Sequence, residues 1–278
     1  MKIALVQMDA SQTGPTSRMA VMEQATAQAA SQGARVIVFP ELAVSGYGAG
    51  EDIASLAGGP DGDHIRFLTR LASTTGCALV AGLALKDGSR VRNAAVFVTS
   101  EGEVSAYYKI HLYGDYEKAL FARGEQQPPL VTFEGVRFGL LVCFDVEFPE
   151  RVRDLAARGA DAVLVPTALP KSEAGAFIAG SVIPVRAFEN QLFIVYANHC
   201  GADARFAYQG RSCLAAPDGQ FLARASGDAA DIVFADIDIT AYDACRAQNP
   251  YLEEVMTHCS DLGTVKSKFI QREPDTGS

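Results

Sequence analysis

Short apolar runs alternate along the chain with longer segments in which apolar residues recur at helical spacing. Runs such as 36–39 and 162–165 are entirely apolar, as short strands often are. Segment 18–31 is polar on one side and carries methionine, valine and alanine on the other. The pattern predicts strands at 3–8, 36–39, 78–85, 94–98, 138–144, 162–165, 192–197 and 232–237, and helices at 18–31, 63–75, 150–158 and 177–190.

The order of these elements favours an α/β fold. Strands separated by single helices form a sheet that the helices cover. The segments 100–103 and 217–220 combine glycine with acidic or proline residues, as hairpin turns do. We therefore expect mixed rather than purely parallel sheets.

Two pairs of segments also resemble each other, in the same order along the chain. On this alignment Gln7 corresponds to Cys143, and Glu41 to Thr167. We interpret the match as two similar β-α-β halves, packed as a four-layer α-β-β-α sandwich with pseudo-symmetric halves. The alternative is chance similarity between apolar strands that follow Gly-Ala. The matched segments are 33–40 with 159–166, and 4–9 with 140–145.

Composition narrows the class of protein. Apolar residues make up 49% of the 278 positions, enough for the core of one large domain. The net charge of −9 argues against nucleic acid or an anionic membrane as a partner. No secretory signal and no apolar run of about 18 residues is apparent, so we expect a cytoplasmic protein. The six cysteines lack the spacing of a disulfide scaffold or a zinc site.

Cys143 is the leading candidate for chemistry. It follows an apolar run and precedes a predicted helix, so backbone amides that open the helix would favour a thiolate and a nearby oxyanion. A cysteine nucleophile also needs a proton acceptor and a charge that stabilises the oxyanion. Glu41 and Lys109 each end an apolar segment, and Glu117 lies eight residues beyond the lysine. Taken singly, each of these residues is more often structural than catalytic.

Three motifs carry a resemblance to a known family. They are Val-Phe-Pro-Glu41, Tyr-Lys109-x-His-Leu and Val-Cys143-Phe-Asp-x-x-Phe-Pro-Glu150, and in this order they resemble the nitrilase (carbon–nitrogen hydrolase) superfamily. The likeness runs from Lys2 to about residue 251 and agrees with the pseudo-symmetric sandwich of that family. Further matching positions are Asn93, 186–190, 197–199, 210–212 and 249–252.

The resemblance implies a role for each residue. Glu41 would be the general base, Lys109 the oxyanion lysine and Cys143 the nucleophile that forms a thioester. The backbone N–H of Phe144 would be the second oxyanion donor, and Glu117 the second glutamate that positions substrate and base. No cofactor or metal is implied. A Cys–His pair using His111 or His199 is the competing arrangement.

The residues that follow Cys143 indicate which branch of the superfamily the chain resembles. Nitrilases of this superfamily generally have tryptophan there, whereas this chain has no tryptophan and continues Phe144-Asp145. The sequences that follow His111 and Cys143 are similar to those of bacterial amidases that act on small carboxamides, including R-stereoselective ones. Hydrolysis of N-carbamoyl compounds or nitriles, or a catalytically silent interaction protein, remain alternatives. The candidate substrate-binding residues are Tyr47, Tyr113, Phe144, Thr167 and Ala168, for which ordinary packing is an equal alternative.

Three expectations concern organisation. Residues 1–258 are expected to form the hydrolase domain. The polar segment 259–278 is expected to be an arm that reaches over a neighbouring subunit, or to be partly disordered. The resemblance implies a homodimer or a higher even homo-oligomer.

Overall fold

The computed structural model describes residues 1–258, and the predicted arm at 259–278 lies outside the described residues. Two mixed sheets dominate the fold. In chain order the strands are β1 (Lys2–Asp9), β2 (Val36–Val38), β3 (Ala78–Asp87), β4 (Arg90–Val98), β5 (Val104–Tyr108), β6 (Leu130–Phe133), β7 (Val136–Leu140), β8 (Ala162–Pro166), β9 (Phe193–Ala197), β10 (His199–Cys200), β11 (Cys213–Ala215), β12 (Phe221–Arg224) and β13 (Asp231–Asp236).

Helices connect the strands and cover the sheets. None of the described helices is long and apolar enough to cross a membrane. The helices are α1 (Pro15–Ser31), α2 (Asp52–Leu56), α3 (Asp63–Thr75), α4 (Gly114–Leu120), α5 (Pro149–Ala157), α6 (Glu173–Phe177), α7 (Ile183–Asn190), α8 (Asp243–Gln248) and α9 (Tyr251–His258). Short 3₁₀ segments lie at Tyr47–Ala49, Cys143–Glu147 and Thr240–Tyr242.

The two sheets pack face to face between layers of helix. Ile3 and Leu5 of β1 belong to a core that also contains Phe138 and Leu140 of β7. The alternate residue Ala4 faces a second core, formed with α1 and α3. This alternation places one face of the sheet on the other sheet and one face on helices. The predicted four-layer α-β-β-α sandwich with mixed sheets is confirmed.

Both sheets have the same strand arrangement, which supports the interpretation as two similar halves. One antiparallel strand precedes three parallel strands, and two antiparallel strands follow. The orders are β13-β1-β2-β3-β4-β5 and β6-β7-β8-β9-β11-β12, with the short β10 pairing alongside β1.

The alignment of 4–9 with 140–145 is nevertheless wrong by one residue. It matched Ala4 with Leu140. Ala4 faces helices α1 and α3, whereas Leu140 lies two residues from Phe138, whose ring packs 5.9 Å from Phe97 of the opposite sheet. Side chains alternate between faces, so a shift of one residue exchanges the two faces. The correspondence of Gln7 with Cys143 comes from the same alignment and is therefore also shifted by one residue.

Two predicted elements differ from the structure. The strand predicted at 138–144 ends at Leu140, because Cys143 has φ 42°, a left-handed conformation that a strand excludes. The helix predicted at 177–190 begins at α6 and contains a π-helical turn at Ile178–Val182 before α7. Pro184 at the start of α7 has no N–H to donate to the preceding turn, which favours this wider turn.

Candidate active site

The ends of strands from both sheets meet at one site. Glu41 follows β2 and Lys109 follows β5 in the first sheet, whereas Cys143 follows β7 in the second. The backbone N–H of Glu41 donates to the carbonyl of Thr167, which follows β8, at 3.3 Å. This bond joins the two sheets at the residues that the sequence match paired.

Lys109 lies between two carboxylates in a site that solvent does not reach. Its Nζ donates to Oε1 of Glu41 at 2.8 Å and to Oε1 of Glu117 at 2.7 Å. The side chains of Lys109 and Glu41 are completely buried, and that of Glu117 is nearly so. Burial by itself lowers the pKa of Lys109, but the two carboxylates outweigh it and raise that pKa well above its ordinary value. The lysine is therefore an ammonium in the folded protein.

The carboxylate of Glu41 is held on one oxygen only. Nδ2 of Asn93, on β4, donates to the same Oε1 at 2.6 Å, while Oε2 has no partner among the described residues. Burial raises the pKa of Glu41 and the charge of Glu117 adds to it, whereas Lys109 and Asn93 lower it. Because the net shift is upward, the free oxygen is more basic than that of a solvated glutamate.

The backbone of Glu41 packs directly on β3. A Cβ added at Gly82 would lie 2.3 Å from the Cα of Glu41, so only glycine fits there. The carbonyl of Glu41 accepts a hydrogen bond from Nε2 of His199 at 2.8 Å. These contacts with Gly82 and His199 hold the backbone of Glu41 and thereby fix the position of its carboxylate.

Glu117 is positioned by aromatic residues. Its Oε1 accepts the hydroxyl of Tyr47 at 2.9 Å, and its Oε2 accepts the backbone N–H of Tyr113 at 2.9 Å. Glu117 lies in the first turn of α4, where its carboxylate caps the backbone N–H of Tyr113, the residue before the helix. The sequence predicted Tyr47 as a substrate-binding residue; the structure adds that its hydroxyl binds Glu117.

A network around Asp145 holds the turn that carries Cys143. Asp145 is fully buried. Its Oδ2 accepts the hydroxyl of Tyr107 at 2.9 Å, and its Oδ1 accepts the backbone N–H of His111 at 2.9 Å and contacts Nδ1 of that residue at 2.8 Å. Tyr107 and His111 flank Lys109 in sequence, so the network fastens the nucleophile turn to the segment that carries the lysine.

Cys143 occupies a buried position with an unfavourable environment for a thiolate. Burial raises the pKa of its thiol, and the charge of Glu41 raises it further. Lys109 and the backbone N–H of Ala168 oppose this shift, yet the net pKa stays well above the ordinary cysteine value. The resting residue is therefore a neutral thiol, which requires a base when it reacts.

Cys143 opens onto a pocket that contains most of the predicted binding residues. Tyr47, Tyr113, Phe144 and Ala168 line it together with Glu117. Thr167 is completely buried and is not among the lining residues.

Sequence reasoning missed several residues of the site. Glu147 lines the pocket, and Asp145 and Tyr107 support the nucleophile turn. Asp145 is a named position of the cysteine motif and Glu147 occupies one of its variable positions, but nothing in the motif indicates where their side chains lie. Leu169, Pro170, Ser172 and Ile178 also line the pocket.

Neither histidine of the competing Cys–His arrangement suits the role of base. His199 is fully buried, binds the carbonyl of Glu41 and faces Arg18 through Nδ1 at 3.4 Å. Burial and the charge of Arg18 lower the pKa of His199 to about 3. His111 stacks on Phe148 at 3.8 Å and is held by Asp145. Within residues 1–258, no group of three or more His, Cys, Asp or Glu side chains could hold a metal ion.

Comparisons with known proteins agree with this geometry. Residues 2–247 match the carbon-nitrogen hydrolase family. A nitrilase of Pyrococcus abyssi is 34% identical over 241 residues, covering 86% of this chain and 90% of the relative. An (R)-stereoselective amidase of Pseudomonas sp. is 34% identical over 220 residues, covering 79% of this chain and 78% of the relative.

Solved structures extend the likeness to the fold. An amidase of Nesterenkonia sp. AN1 in complex with acrylamide is 36% identical, with a TM-score of 0.81 over 91% of this chain and 93% of that one. Another structure of that amidase carries the acetamide moiety of fluoroacetamide covalently at its active-site cysteine, with 34% identity and a TM-score of 0.77 over 90% of this chain and 96% of that one. The chain thus belongs to the carbon–nitrogen hydrolase family and has the fold of the nitrilase superfamily.

Proposed function

We propose that the protein hydrolyses small carboxamides to the carboxylic acid and ammonia through a thioester on Cys143. One observation carries the proposal: a buried ammonium is shared by Glu41 and Glu117, its charge acts on the Cys143 thiol, and Glu117 and Cys143 line the same pocket. The covalent adduct at the cysteine of the Nesterenkonia amidase supports the same chemistry.

The first half-reaction forms the thioester. Sγ of Cys143 attacks the carbonyl carbon of the amide while its proton passes to Glu41, whose Oε2 has no partner among the described residues. The carbonyl π electrons move to oxygen, and the oxyanion is stabilised by the ammonium of Lys109 and the backbone N–H of Phe144. When the C–N bond breaks, the nitrogen takes the proton from Glu41 and leaves as ammonia.

The second half-reaction returns the thiol. Glu41, ionised again, takes a proton from water as the water oxygen attacks the thioester carbon. The same two donors stabilise the second oxyanion. Its collapse breaks the C–S bond, the sulfur takes the proton held by Glu41, and the carboxylic acid leaves. Protons and electrons balance over the cycle, with one water consumed for each amide.

An ammonia-release assay on a panel of small primary amides tests the proposal. We expect hydrolysis by the wild type, and a loss of roughly a thousandfold or more in both Cys143→Ala and Glu41→Gln. Cys245→Ser is the control, because Cys245 is only partly buried and does not line the pocket. Full hydrolysis by Glu41→Gln would eliminate Glu41 as the base.

The same assay separates the alternatives if amide, ureido and nitrile substrates share one acyl group. Hydrolysis of a ureido compound releases carbon dioxide besides ammonia, and a nitrile is relevant because the relative from Pyrococcus abyssi is named a nitrilase. A catalytically silent protein would hydrolyse none of them, and labelling of Cys143 by iodoacetamide would then change no activity.

We also propose that the protein is a cytoplasmic homo-oligomer. Phe177 of α6 is 63% exposed and Val185 of α7 is 49% exposed. Tyr251 of α9, also exposed, packs its ring 5.5 Å from that of Phe188 in α7. Apolar side chains exposed on adjoining helices are typical of an interface between subunits. Light scattering after size exclusion would give the mass, and a monomer at micromolar concentration would contradict the proposal.

A further inference from the structure

Glu147 is a carboxylate in the pocket, and its side chain has no partner in the part of the chain that the structure describes. It lies at the end of the 3₁₀ segment that begins with Cys143 and it lines the same pocket. Among the described residues, its carboxylate accepts no hydrogen bond and forms no ion pair within 4 Å. A carboxylate in a partly closed site ordinarily has a donor or a cation beside it, because desolvation is otherwise uncompensated.

The two cations whose charges act on Glu147 are already engaged by other groups. The guanidinium of Arg186 donates to the backbone carbonyls of Val146 and Glu147, at 3.0 and 2.6 Å, and to Oε1 of Glu189 at 2.9 Å. The ammonium of Lys109 is held by its own two glutamates. Neither cation forms an ion pair with the Glu147 side chain.

The electrostatic environment reflects this lack of a partner. Burial raises the pKa of Glu147 to about 7, although Lys109 and Arg186 both lower it. Among residues 1–258 no lysine or arginine lines the pocket, whereas Glu117 lines it as well. The pocket therefore disfavours a second negative charge from a ligand and has room for a compensating positive one.

The remaining residues that line the pocket indicate the chemical character of the middle part of the ligand. Leu169, Pro170 and Ile178 contribute apolar surface to the pocket. Cys143 and Glu147 begin and end one short segment, and both line the pocket. A short carbon chain thus fits between an amide carbonyl at the thiol and a polar group at Glu147.

We propose that Glu147 determines specificity by binding an amino group on the acyl part of the substrate, so that short ω-amino carboxamides are preferred over neutral amides of equal size. The proposal rests on the amidase function proposed above. A protonated amine supplies the hydrogen-bond donors and the positive charge that this carboxylate lacks. Amides with a carboxylate at the same place are disfavoured.

Three amides of similar size test the proposal. They are 4-aminobutanamide, pentanamide, in which a methyl group replaces the amine, and succinamic acid, which ends in a carboxylate. We expect the wild type to prefer 4-aminobutanamide in kcat/KM. Glu147→Gln, of nearly the same shape, should reduce the preference over pentanamide by roughly ten- to a hundredfold, mainly through KM. Glu150→Gln, at an exposed position on α5, is the matched control and should leave the preference unchanged.

A binding measurement keeps the test independent of turnover. Calorimetry compares 4-aminobutanamide binding to Cys143→Ala with its binding to Cys143→Ala/Glu147→Gln. Weaker binding to the double variant supports the proposal, and equal binding overturns it. An equal fall in kcat for the charged and the neutral amide in Glu147→Gln would assign Glu147 to the reaction itself and would also overturn it. If the wild type hydrolyses no amide, the proposed function fails, and the calorimetry still decides the role of Glu147.

Discussion

Replacing Lys109 by methionine removes the one cation that, among the described residues, pairs with the buried carboxylates of Glu41 and Glu117. Methionine is apolar and similar in length, so the change deletes the ammonium without opening a large cavity. The Nζ of Lys109 lies 2.8 Å from Glu41 and 2.7 Å from Glu117, with all three side chains nearly or fully buried. Removing one partner of a buried ion pair typically costs about 3–5 kcal/mol, because the remaining charge is left without compensation. We expect a loss of that size in the free energy of unfolding at pH 8.

The loss should depend on pH in a defined direction. Without the ammonium, the folded-state pKa of the Glu41 carboxyl group, which burial already raises, lies still further above the ordinary glutamate value of 4.5. The folded protein then binds more protons than the unfolded chain, so stability falls as pH rises between the two pKa values. The slope is about 1.4 kcal/mol per pH unit for each affected carboxyl group. Lys109→Met should therefore be closer to the wild type at pH 5.5 than at pH 8.

Urea unfolding followed by circular dichroism at both pH values measures these differences. Lys118→Met is the control, because Lys118 is an exposed lysine on α4 whose nearest carboxylate is 3.9 Å away, and it should change stability by less than about 0.5 kcal/mol. The triple variant Lys109→Met/Glu41→Gln/Glu117→Gln removes all three charges and should recover most of the loss. If Lys109→Met is within 1 kcal/mol of the wild type at pH 8, the reasoning about a shared buried ammonium is wrong.

Three further outcomes can be measured. Gly82→Ala should lower kcat/KM by roughly a hundredfold, because its Cβ displaces Glu41, whereas Gly59→Ala, with open space around its Cβ, should not. The ratio of kcat/KM for 4-aminobutanamide over pentanamide should rise from pH 6 to pH 8 as Glu147, with a pKa of about 7, ionises; a ratio that stays flat contradicts the assignment. Asp145→Asn should lower kcat about tenfold with little change in KM, since it loosens the nucleophile turn without touching the pocket; a change confined to KM would contradict this.

The sequence predicted the architecture because strand and helix periodicities differ and because the motifs lie at strand ends. Glu41 and Lys109 follow strands of one sheet and Cys143 follows a strand of the other, an arrangement that two packed α/β halves require. The resemblance to the family supplied the roles of these residues, which no pattern of hydrophobicity contains. Their meeting in one cluster depends on the packing of the two sheets.

What the sequence could not provide depends on backbone conformation and on distant contacts. The apolar run 138–142 gave no indication that the strand ends at Leu140 or that Cys143 adopts a positive φ. Asn93 reaches Glu41 only because β4 pairs with β3 beside β2, which is a property of sheet order. Glu147 was visible in the cysteine motif, but its exposure to the pocket depends on a 3₁₀ turn that no residue in the motif announces.

The charges of the cluster explain why the thiol can remain neutral until the substrate arrives. With Glu41 and Glu117 ionised and Lys109 protonated, the cluster carries one net negative charge, which disfavours a thiolate at Cys143. In the proposed reaction, attack moves the thiol proton to Glu41 and creates the oxyanion in the same step, so the total charge of the buried site does not change. Neutralising Glu41 leaves the ammonium of Lys109 paired with the charge of Glu117 alone. The ammonium can then stabilise the oxyanion. A buried site thus avoids creating an isolated charge at any step of the proposed reaction.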